Sequence, residues 1–155
     1  MKMKTGCKTI IGCAAMFGMA AGAWGQIAIT EFINNVTGSE STDEWVELFN
    51  YSGRSMDIEG WTIRDEDSNS FTFAGSFVIP SGGYALIVED KTRIEEIWFG
   101  GVADPDIVDV GHFGALGNGA DELILEDAER SAVWSIAWDN DEDEGISTYL
   151  TGNDF

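Results

Sequence analysis

The sharpest candidate for chemistry in this sequence is WDNDEDEG, Trp138 to Gly145, where Asp139, Asp141 and Asp143 alternate. Calcium takes about six to eight oxygen ligands, and carboxylate-rich loops supply them. The Asp-x-Asp-x-Asp start has the form of an EF-hand loop. That loop needs Gly at its sixth position and Glu at its twelfth, where this chain has Glu144 and Leu150. A looser calcium site stays open, because crowded acids repel one another unless something neutralises them. The competing reading is a solvated acidic tip between two strands, which is what most charge runs are. A second acidic loop, RDEDSNS, is a weaker version of the same pattern.

Glu47 is the next candidate. In DEWVELFN, Asp43 to Asn50, every second residue gives one face of Trp45, Glu47 and Phe49. The other face carries Val46 and Leu48, with Glu44 and Asn50 at its ends. A carboxylate between two aromatics suits an acid or base, a metal ligand, or a piece of scaffold. We expect the scaffold role, with Glu47 largely buried and accepting hydrogen bonds, since a bare buried charge is too costly. Truncating it to Ala is then expected to lower stability rather than abolish a reaction.

The remaining catalytic patterns are thin. His112 is the single histidine and lies in the Gly-rich run VGHFGALGNG. A Ser–His–Asp arrangement would draw on Ser131 or Ser135, and neither sits in a Gly-x-Ser-x-Gly turn. Paired carboxylates for glycoside hydrolysis are expected by chance among 28 acids. Trp45, Trp61 and Trp98 fall in apolar patterns and read as core, and Trp134 and Trp138 share a face with Ile136. Few aromatics are then left for a sugar platform. The expectation is a protein without enzymatic activity and without a resident cofactor, calcium excepted.

The elements that must position these residues are mostly strands. Short β-branched and aromatic segments alternate with Gly, Asn, Asp and Ser. We expect strands at 27–34, 44–50, 60–65, 71–73, 77–79 and 84–90. A hairpin is expected from 121–127 and 132–138 around Ala128–Arg130, and ISTYL (146–150) is placed to close a sheet. One segment has helical period. Asp90 is placed to cap it, Ile94, Ile97 and Trp98 form its apolar line, and Gly100 or Gly101 ends it. A long Gly-rich connection follows. The expected fold is all-β, an immunoglobulin-like antiparallel β-sandwich with one short helix in a long connection.

Residues 1–25 read as a signal peptide. Lys2, Lys4 and Lys8 precede an uncharged apolar run, Ile10 to Ala23, and AWG offers a cleavage point near Gly25. The run is short of the roughly 20 residues a membrane span needs. Residues 26–155 are then one exported domain, secreted, periplasmic or at the cell surface, with no membrane span. Both cysteines, Cys7 and Cys13, fall in the signal, which leaves the domain without disulfides or thiolate sites. All 28 acids but only five of the 8 bases follow Gly25. That surface repels nucleic acid and anionic lipid, and attracts cations and basic partners.

Ordered phrases in the chain resemble one family. ITEFINN (29–35) looks like its opening strand. DEWVELFNYSG (43–53) is similar to its most recognisable stretch, through Trp45, Glu47 and Asn50. DIEGWTIRDED (57–67) matches the strand that follows, through Gly60 and Trp61. IPSGGYALIVED (79–90) and GNGADELILED (117–127) are similar to its later strands. The family is the lamin tail domain, in its exported bacterial form. The resemblance implies an immunoglobulin-like sandwich and carries no catalytic residues with it. Nuclear roles are not implied, since the chain has no heptad rod and no basic patch. Exported relatives often accompany hydrolases or adhesion modules, and here there is room for the module alone. The expected function is a non-enzymatic binding or display module meeting a protein or glycan outside the cell. The alternatives are a calcium-stabilised adhesion module and a carbohydrate-binding module or small hydrolase.

Overall fold

The computed structural model describes residues 27–37, 40–65, 69–111, 116–138 and 148–149. The first strand, β1 (Ile27–Ile33), is followed by one helical turn, α1 (Glu40–Asp43), and by β2 (Trp45–Asn50). Then come β3 (Met56–Asp57), β4 (Thr62–Arg64), β5 (Ser70–Thr72), β6 (Val78–Ile79) and β7 (Tyr84–Val88). The helix α2 (Lys91–Phe99) leads to β8 (Ile107–Asp109), β9 (Asp121–Glu126), β10 (Ala132–Trp138) and β11 (Thr148–Tyr149). One sheet runs β11-β1-β2-β7-β8 and a second runs β10-β9-β4-β5, with β3 and β6 forming a small ribbon. This is the expected two-sheet sandwich.

The main core lies between the sheets. Ile27, Ile29, Phe32, Val46, Leu48 and Ile87 come from the first, and Ile63, Leu123, Leu125, Ile136 and Trp138 from the second. Phe32 and Trp138 bridge the two, with ring centroids 4.6 Å apart. Burying such side chains removes apolar surface from water at about 25 cal/mol per Å². A bulge in β1 sets which residues reach this core. Ile29 pairs with Leu48 and Glu31 with Glu47, so Thr30 is the extra residue. The shift changes the parity of the strand and lets both Ile29 and Phe32 face inward, three positions apart.

Three features depart from the sequence expectation. The Gly-rich connection contains β8, which pairs in parallel with β7 through the α2 crossover, so the sandwich is not wholly antiparallel. The polar segment before β2 contains α1. Met56–Asp57, which lies between the expected strands 44–50 and 60–65, forms a short strand paired with Val78–Ile79. Among the described residues no helix is long and apolar enough to cross a membrane.

Candidate functional site

The outer face of the five-stranded sheet carries the face of β2 that holds Trp45, Glu47 and Phe49. One end is covered. Trp45 packs with Ile33, Val36, Val88, Ile107 and Ile94, the last from α2. This second small core explains why β2 is apolar on both faces. In the middle, Glu47 lies opposite Glu31 on β1 and Leu86 on β7. It is half-buried, not largely buried as expected, because α2 covers only the Trp45 end. The Thr30 hydroxyl, placed by the bulge, donates to Glu47 Oε1 at 2.7 Å. Burial raises the Glu47 carboxyl above its ordinary value, the Thr30 hydrogen bond opposes this, and the Glu31 charge adds to it. At the far end Phe49 stacks on Tyr84, with centroids 4.6 Å apart and planes 29° apart, and Tyr84 is 49% exposed.

The other motif residues are structural. Asn50 is fully buried and its Nδ2 donates to Arg54 O at 2.7 Å and Ile79 O at 2.8 Å. Its Oδ1 accepts from Ser52 N at 2.9 Å, so one side chain ties β2 to the next turn and to β6. Gly60 takes φ 79°, and a Cβ there would stand 3.2 Å from the Ala128 Cβ. Its N–H donates to Phe73 O at 2.7 Å, and Trp61 beside it is buried in the main core.

Sequence reasoning missed a polar clasp at one end of the sandwich. Asn34 Nδ2 and Trp138 Nε1 both donate to Gly117 O, at 2.8 and 2.9 Å. Gly117 N donates to Asp121 Oδ2 at 2.7 Å, and Leu116 N to Glu44 Oε2 at 3.1 Å. Asn34 and Glu44 are fully buried. Their register, one step beyond Ile33 and Trp45, was the available signal.

Asp139, Asp141 and Asp143 lie outside the described residues, as do His112 and the signal segment. Of the second acidic loop, Asp65 accepts from Asn69 N at 2.8 Å and from Asn69 Nδ2 at 2.6 Å, so its carboxylate is taken up within the chain. Ser131 N donates to Asp127 Oδ1 at 2.8 Å in the β9–β10 hairpin. Among the described residues no three His, Cys, Asp or Glu side chains are placed to hold a metal ion.

The clearest unburied apolar cluster is at the end of α2. Asp90 caps the helix, accepting from Arg93 N at 2.9 Å, and Gly100 ends it at φ 63°. Ile94 is buried as expected, but Trp98 is not core. Ile97 is 46% exposed, Trp98 47%, Phe99 41% and Val102 67%. The tip is held firmly. Lys91 Nζ donates to Asp104 O at 2.6 Å and Ile107 O at 2.9 Å, and Asp104 N donates to Glu95 Oε1 at 2.9 Å. Arg93 grips Asp43 with two hydrogen bonds, at 3.0 and 3.2 Å.

No curated protein matches this chain. A comparison with protein families matches residues 20–143 to the Lamin Tail Domain. The match takes in the bulged first strand, the Trp45–Glu47–Asn50 strand, the Gly60–Trp61 corner and the β9–β10 hairpin. With most of its length matched and a two-sheet sandwich built on those residues, the chain belongs to the lamin tail domain family.

Proposed function

We propose that this chain is an exported, non-enzymatic binding module, released by cleavage near Gly25 to act at the cell surface or outside the cell, with the tip of α2 as its contact with a protein partner. The supporting observation is the cluster of Ile97, Trp98, Phe99 and Val102. Single exposed apolar residues are ordinary, whereas four within six positions, three ending a capped helix and one just beyond it, form a patch that water solvates poorly. Trp and Phe are also among the side chains enriched at protein interfaces. Three measurements test the reading. The exported protein should begin at Gln26 by mass spectrometry. Crosslinking at the source's surface should yield adducts that a Trp98→Ala, Phe99→Ala variant loses. A broad screen for glycosidase, esterase or nuclease activity should be blank, and turnover in it would overturn the non-enzymatic part.

A second reading is favoured by the uncovered end of the same sheet. The exposed ring of Tyr84 over Phe49, beside the Glu47 carboxylate, suits the apolar face and hydroxyls of a sugar. A glycan array signal lost in Tyr84→Ala would support it. A calcium-stabilised module is the third. Its ligands would come from Asp139, Asp141 and Asp143, and a melting temperature unchanged between millimolar calcium and chelator would remove it.

A further inference from the structure

We infer that the tip of α2 docks a cationic amphipathic segment of another protein; this rests on the binding-module reading and names its partner class. The patch is apolar at its centre and acidic at its rim. Ile97, Trp98, Phe99 and Val102 supply the apolar part. Glu95 and Glu96 precede them on the helix, and Asp104 and Asp106 follow on the return to β8. Glu95 is already paired with Lys91 at 3.6 Å, so the exposed acids of the rim are Glu96 and Asp106. Lys91 is spent on the carbonyls of Asp104 and Ile107, and Arg93 on the carboxylate of Asp43. Both sit in the first turns, away from the tip.

The whole chain points the same way. Its formal net charge is −20. Like charge opposes a second copy, an anionic lipid surface or a nucleic acid on this face. A segment with basic residues flanking an apolar stripe meets both parts of the patch at once. Its apolar stripe covers Trp98 and Phe99, and its bases reach Glu96 and Asp106. The patch is also rigid before binding. The Asp90 cap, the Gly100 terminus and the Lys91 and Glu95 bonds to the return loop fix it, so little ordering is left to oppose association.

The test uses isothermal titration with a designed helical peptide. Leucines stand at i, i+3, i+4 and i+7, lysines elsewhere, and a control peptide has glutamate for each lysine. The lysine peptide should bind, and its affinity should fall by about tenfold between 50 and 300 mM salt, as screening shortens the reach of its charges. Trp98→Ala with Phe99→Ala should weaken it by about tenfold or more, the loss typical of truncated interface anchors. Glu96→Lys with Asp106→Lys, which leaves the apolar residues in place, should do the same. All four substituted residues, Glu96, Trp98, Phe99 and Asp106, are solvent-facing, and unchanged circular dichroism and melting temperature will show that the variants fold. Equal binding to the apolar variant would mean mere attraction to a polyanion and would overturn the inference. Equal binding of the glutamate peptide would overturn the cationic partner and leave the contact surface standing. A dimer seen by sedimentation and lost in the Trp98→Ala, Phe99→Ala variant would assign the patch to a second copy. Patch-dependent binding to phosphatidylcholine vesicles would assign it to lipid. Either result would overturn the inference.

Discussion

Glu47 sits on the outer face of β2, between the covered Trp45 end and the Phe49–Tyr84 stack. It does accept a hydrogen bond, from Thr30, and it belongs to the strand that builds the sheet. It is only half-buried, and Glu31 faces it across the ladder. Because burial raises its pKa, the folded chain holds this proton more tightly than the unfolded chain does. The group therefore favours folding below its ordinary value of 4.5, and that contribution is lost as pH rises through the folded value. Glu47→Gln keeps an acceptor for Thr30 and removes the charge. It should melt higher than the parent at pH 7, and the difference should close by pH 4. Asp57 runs the other way. Hydrogen bonds from Ser76 and from the Glu59 and Phe77 amides lower its pKa, so its contribution is present above the ordinary value and fades as pH falls. Asn50 is the more demanding residue. Asn50→Ala strands the buried carbonyl of Ile79 and should cost about 3 kcal/mol in urea denaturation, as expected for lost buried hydrogen bonds.

At the scale of elements, α2 is set by its two ends. Asp90→Ala should cost about 1 kcal/mol through the lost cap. Gly100→Ala should cost about 1 to 2 kcal/mol through the left-handed backbone. Hydrogen exchange at the α2 amides reads both directly. These ends were legible in sequence, and so was the β9–β10 hairpin around Ala128–Arg130, because both rest on local chemistry. The exposure of Trp98 was not. Periodicity marks which side of a helix is apolar, and it cannot say whether anything covers that side. Here α2 lies against β8, the edge strand, and only Ile94 reaches the second core. The bulge at Thr30 was illegible for a related reason. Alternation in IAITEFI would turn Phe32 outward, and only pairing with β2 shows where the extra residue falls. β8 was missed because three residues in a Gly-rich run carry no period of their own, and the strand exists through its parallel partner β7. The acidic candidates Asp139, Asp141 and Asp143 lie outside the described residues, so the site best supported in sequence and the site best supported in structure are different places.

For the whole molecule, the charge is the term that conditions change most easily. Raising sodium chloride from about 10 to about 150 mM shortens the Debye length from roughly 30 Å to roughly 8 Å. With a formal charge of −20, self-repulsion should weaken and the melting temperature should rise, which differential scanning calorimetry will register. Topology adds a constraint of another kind. β1, the first strand described, is held on one side by β2 and on the other by β11, the last. A growing chain thus carries one open edge on β1 until β11 has been made. Long-range closure of this sort is slow compared with local pairing. Until β11 is added, the unpaired N–H and C=O groups of that edge are open to any other strand, so an unfinished chain is exposed to pairing with its neighbours.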